Sequence, residues 1–223
     1  MAIKLKSTKD YKTSSLNILV YGEAGVGKTK LCATAPKPLI ISAEGGMRTL
    51  AEEDIPVFEI STRADCDEIY DWIVSSQEAK QYDTICIDSL SEIAEVLLLS
   101  EKKKTKDARQ AYGVMNDEMA ILIRGFRDLP KNVYFSAKLK KDKDDKSGAM
   151  YYAPQVPGNT VFQALPYFFD IVMAFRFGSL EDGTIYRYLQ TQGDMFWVAK
   201  DRSEKLDKIV KPDLSEIIAI IQS

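Results

Sequence analysis

The 223-residue chain contains no histidine. Imidazole bases, His-assisted nucleophiles and His-ligated metals are therefore excluded, and any chemistry falls to carboxylate, lysine, arginine, hydroxyl or a hard metal ion. Cysteine is scarce too: Cys32, Cys66 and Cys86 are odd in number and scattered, which argues against a disulfide framework or a zinc site. No run approaches the roughly 18 apolar residues of a membrane span. The N-terminal stretch MAIKLKSTKDYKT lacks a signal-peptide core. A cytoplasmic protein without a membrane partner is expected. Repeats and low-complexity linkers are also missing, so a basic arm (1–15) and one domain (16–223) is the economical division.

What is present fits a soluble α/β domain with a substantial core, at 45% hydrophobic and 28% charged residues. The net charge of −3 hides an asymmetry: residues 1–13 carry +3, 101–109 carry +3 and 138–146 carry +2, which leaves −11 elsewhere. Such basic segments on an acidic protein suit a face that meets a polyanion, although each alone reads as a solvated loop. Strands are expected at 17–21, 38–42, 56–60, 84–88, 132–137, 170–177 and 185–191, with a further one at 195–199. EDGT forms a hairpin turn before 185. Helical spacing marks 28–34, 64–79, 91–100, 111–129 and 213–222. Alternating strands and helices followed by a run of strands imply a mainly parallel sheet flanked by helices, with antiparallel strands in the C-terminal part.

One motif is specific. Gly22, Glu23, Ala24, Gly25, Val26, Gly27, Lys28 and Thr29 spell GEAGVGKT, a full match to the phosphate loop between a strand and a helix, and Lys30 continues into that helix. Backbone N–H groups would cradle phosphate, Lys28 would reach the β- and γ-phosphates and Thr29 would ligate Mg²⁺. Asp88, ending the apolar run TICID, is the second Mg²⁺ candidate. No N-K-x-D element is present, so ATP is favoured over GTP. Ser89 stands where many ATPases carry a catalytic glutamate. Glu92 is expected to point away along its helix, whereas Glu44, in SAEGG at the end of another strand, is positioned to orient water. A solvent-facing turn glutamate is its alternative reading.

The order of these elements resembles the RecA-like recombinase ATPases, and the size is similar to the compact phage Sak single-strand annealing proteins. The resemblance covers about 16–202 and implies a RecA-like P-loop NTPase core. It makes Glu44 the base, puts Ser136 or Lys138 at the γ-phosphate sensor position, where an amide is usual, and has Lys200 and Arg202 act in trans across subunits. Two DNA-facing loops are implied at 101–111 and 139–159. Lys102, Lys103, Lys104, Lys106, Arg109, Lys140, Lys141 and Lys143 would contact phosphates, and Tyr112, Tyr151 and Tyr152 would stack on bases. The alternative reading packs the tyrosines on the body of the domain and leaves the lysines as charges that keep the loops soluble. The implied protein is a DNA-stimulated ATPase that binds single-stranded DNA in phage recombination or annealing. It self-assembles as a filament or ring in the host cytoplasm, with a single-strand-binding protein as a candidate partner. A P-loop kinase, an ATP-driven switch and an AAA+-type motor or loader are the rivals. Ser89 and the strand-rich C-terminal half count against the last.

Overall fold

The structure, a computed structural model, describes residues 7, 9, 15–143, 148–158 and 164–223. Its centre is a sheet in which six parallel strands run in the order β7 (Ile171–Ser179), β1 (Asn17–Gly22), β5 (Asn132–Lys143), β4 (Thr84–Asp88), β2 (Pro38–Ser42) and β3 (Val57–Glu59). Antiparallel β8 (Ile185–Gln190) and β10 (Ile209–Val210) extend the β7 side. The short antiparallel strands β6 (Met150–Gln155) and β9 (Lys200–Asp201) pair with β5 and β7. This is the mainly parallel α/β sheet, with antiparallel strands in the C-terminal part, that the sequence implies.

Both faces of the sheet are covered, so its central strands are apolar at every position rather than at alternate ones. Leu19, Tyr21, Ile85, Ile87, Val133 and Phe135 pack towards α2 (Arg63–Ser75), α3 (Leu90–Lys104) and α4 (Ala108–Arg127). Ile18, Val20, Cys86 and Tyr134 point the other way, towards α1 (Lys28–Leu31) and α5 (Leu214–Gln222). Local chemistry sets the helix starts. Thr62 and Asp65 form a capping box, and Ser89, Asp107 and Asp213 each accept backbone N–H bonds at their helix starts.

Several expectations are corrected. The segment 195–199 forms no strand; Trp197 makes one isolated bridge to Tyr152, and the strand lies at Lys200–Asp201. The expected loop at 101–111 is mostly helix, because the buried side of α3 continues through Leu97, Leu98 and Glu101. That leaves Thr105–Asp107 as the turn into α4. The expected loop at 139–159 is largely a β-hairpin, since β5 runs on to Lys143 opposite β6; residues 144–147 and 159 fall outside the described residues. Helix α1 is one turn, followed by a 3₁₀ turn at Cys32–Thr34.

Candidate active site

The phosphate loop leaves β1 at the carboxyl edge of the parallel strands. Gly22 is required by crowding: a Cβ there would lie 2.6 Å from the Phe175 carbonyl oxygen on β7. Gly27 is required by its backbone, with φ at 114° just before α1. Lys28 Nζ donates to the carbonyls of Gly22 (3.0 Å) and Glu23 (2.9 Å). Burial pulls its pKa below the ordinary lysine value, while Glu44 and Asp88 push the other way. Tyr134 on β5 anchors the start of α1 by donating to the Lys28 carbonyl at 2.9 Å.

Asp88 is fully buried and lies beside the loop. Thr29 Oγ1 donates to its Oδ2 at 2.7 Å, and the buried Ser136 Oγ donates to its Oδ1. Three hard oxygen ligands thus meet next to the phosphate loop, a donor set suited to Mg²⁺. Strand β5 sits between β1 and β4, which is why Ser136 reaches Asp88. Ser136, expected as a sensor, is therefore occupied with the carboxylate.

Glu44 joins this corner through register. Ser42 pairs with Asp88, and Ala43 N–H donates to the Asp88 carbonyl at 2.9 Å. Two residues beyond Ser42, Glu44 Oε1 accepts from Ser89 Oγ at 2.5 Å. The same serine oxygen caps α3 by accepting from Glu92 N–H at 3.4 Å. Glu44 is brought to the loop, lining one cavity of about 670 Å³ with Lys28, Lys138, Lys141 and Gln155. Glu92 instead forms an ion pair with Lys138, whose pKa rises mainly because of that bond. Lys141 ties the hairpin to the loop by donating to Glu23 Oε1 at 2.7 Å.

The remaining expected residues separate. Lys102, Lys103 and Lys104 occupy the last turn of α3, with Lys104 paired to Glu101. Lys106 lies in the turn and Arg109 in the first turn of α4. Lys102 lies over the Tyr112 ring, 5.4 Å from its centroid, and Tyr112 packs against the core. Lys140 pairs with Asp142, Lys143 sits opposite Met150, and Tyr151 is half-buried. Tyr152 is stacked on Trp197 at 4.2 Å, so its ring already has a partner. Lys200 and Arg202 lie at the opposite, amino edge of the sheet: Lys200 pairs with Val172, and Ile171 begins β7. Lys200 Nζ donates to the carbonyls of Pro166 and Phe169, and Arg202 to Asp170 and the Tyr167 carbonyl. Neither reaches the chain's own phosphate loop.

Sequence reasoning missed Phe175 and Arg187, which the β7–β8 hairpin brings to the loop. It also missed Ser89 as a partner of Glu44; the only signal was its place after Asp88.

No curated protein matches this chain. Among solved structures, a KaiC-like protein from the hyperthermophilic archaeon Pyrococcus horikoshii OT3 is similar at 14% identity and a TM-score of 0.45, with 79% of this chain and 77% of that chain covered. A family model described as an AAA domain matches residues 14–203. That match corrects the low place given to an AAA-type relation on the grounds of Ser89 and the strand-rich C-terminal half. Among the described residues no helix is long and apolar enough to cross a membrane. With the match spanning most of its length around a complete phosphate loop, the chain belongs to the AAA domain family of P-loop ATPases.

Proposed function

We propose that the protein binds Mg-ATP at the phosphate loop, hydrolyses it with Glu44 as the water-orienting base, and acts on single-stranded DNA in phage recombination or annealing. The observation that carries the hydrolytic part is the junction of Thr29, Asp88 and Ser136 with the Ser89–Glu44 bond. Thr29 and Asp88 would hold Mg²⁺, which supplies charge neutralisation at the phosphates. Lys28 balances phosphate charge. Glu44, held by Ser89, accepts the proton of the attacking water.

The DNA part is supported by charge and position. The lysine-rich β5–β6 hairpin leaves the sheet at the loop's own edge, and Lys141 bonds Glu23. The α3–α4 turn reaches the same end, because an Arg63–Glu118 ion pair ties mid-α4 to the first residue of α2. Lys200 and Arg202 would serve a neighbouring subunit in a filament or ring, and a single-strand-binding protein is a candidate partner.

ATPase rate and particle size, with and without single-stranded DNA, test the proposal. Glu44→Gln should lower turnover by about 10²–10⁴-fold while Mg-ATP binding is retained. Salt-dependent DNA binding that survives neutralisation of both lysine segments would remove the DNA half.

A further inference from the structure

The β7–β8 hairpin continues past the end of β1, whose last residue, Gly22, pairs with Phe175. On this extension Phe177 and Arg187 are direct cross-strand partners, and the Arg187 guanidinium lies 5.3 Å from the centroid of the Phe177 ring. Alternation puts Phe175, Phe177, Arg187 and Leu189 on one face, the face that carries α1 and α5, since Phe175 and Leu189 belong to that core. A Cβ built on Gly27 would meet the Phe175 ring at 3.5 Å and Arg187 Cδ at 3.8 Å. Arg187 is exposed, and among the described residues no carboxylate lies within ion-pair reach of it.

Two cavities flank the loop, and Lys28 and Glu44 border both. The one on the β5 side holds Lys138 and Lys141, beside Asp88 and the Glu44–Ser89 pair, and suits the reacting end of a triphosphate. A nucleoside triphosphate is linear, so its nucleoside must leave by the other flank. There a cavity of about 480 Å³ is lined by Gly27, Thr29, Thr34, Phe175, Arg187 and Pro212. Three cations line it: Lys28 and Lys30, on the loop and α1, and Arg187, whose guanidinium lies over the Phe177 ring. A guanidinium plane with one face on phenylalanine can take a nucleobase on the other.

We propose that Arg187 is the nucleoside clamp of this site, stacking between Phe177 and the base of the bound nucleotide. The proposal rests on the nucleotide-binding reading above and adds the residue and flank that hold the base. A base held by stacking predicts weak discrimination between ATP and GTP.

The test compares equilibrium binding of Mg-ATP, Mg-GTP and Mg-tripolyphosphate, a ligand with no nucleoside. Arg187→Ala should weaken both nucleotides about tenfold and leave tripolyphosphate binding unchanged. Arg187→Lys, which keeps the charge and loses the plane, should behave like Arg187→Ala. Unchanged nucleotide affinity in Arg187→Ala, an equal loss for tripolyphosphate, or full rescue by lysine would each overturn the clamp. A wild-type protein that binds none of the three ligands would instead sink the underlying nucleotide-binding reading. Binding of tripolyphosphate but of neither nucleotide would sink the nucleotide-binding reading and the clamp with it, whereas the Arg187 variants judge the clamp alone.

Discussion

The two edges of the sheet use similar polar residues in opposite ways. At the carboxyl edge Thr29, Ser136 and Asp88 bond side chain to side chain, as do Ser89 and Glu44. At the amino edge the Lys200 ammonium is held by backbone carbonyls, and Arg202 divides between Asp170 and a carbonyl. A hydroxyl–carboxylate bond can be exchanged for a bond to a metal or phosphate oxygen without releasing any main chain. Lys200 cannot leave without taking a donor from the Pro166 and Phe169 carbonyls. Lys28 bonds the Gly22 and Glu23 carbonyls in the same way, so the contrast at the carboxyl edge holds for the hydroxyl–carboxylate bonds and not for this lysine. The first edge is therefore ready for a ligand, and the second braces the chain.

Asp88→Ala is the strongest challenge to this contrast. Mg²⁺-dependent turnover should fall by at least about 10²–10³-fold in a steady-state assay. Retained turnover would move the Asp88 cluster into the bracing class.

A smaller effect sharpens the other side. Lys200→Met should lower chemical-denaturation stability by about 1 kcal/mol, because two carbonyls lose a donor, and leave nucleotide affinity unchanged. Lost turnover of the assembled protein at unchanged monomer affinity would mark the added role proposed for Lys200 at a neighbour's nucleotide, and retained turnover would leave it a brace alone.

The smallest effect is a pH dependence. Burial lowers the Lys28 pKa in the folded protein, so between that value and the ordinary lysine range the unfolded chain binds more protons. This group alone makes stability rise with pH across that window, where its buried charge is lost. Denaturation midpoints of wild type and Lys28→Met across the alkaline range should show the rise flattened in the variant. Lys138 contributes with the opposite sign, since its bond to Glu92 raises its pKa, and Lys138→Gln provides the control.

Much of the scaffold was legible from short-range patterns. Short apolar runs marked β1, β2 and β4, and the helical spacing of Met115, Met119, Ile123 and Phe126 marked α4. Composition misled where polar residues sit on regular elements. The lysines at 102–104 looked like loop but ride the exposed side of α3, and those at 140–143 decorate a strand whose partner β6 was not anticipated. Tyr152 looked available for stacking on bases, yet Trp197, 45 positions along the chain, already covers it.

The phosphate loop, the absence of imidazole chemistry and the candidacy of Glu44 and Asp88 follow from the residues alone, because each depends on local spacing or on residue type. Ser136 on Asp88, Ser89 on Glu44 and Arg187 over the loop depend on which strands become neighbours. That order arises from how the crossover helices and the β7–β8 hairpin pack on the sheet, a long-range outcome that no local pattern encodes.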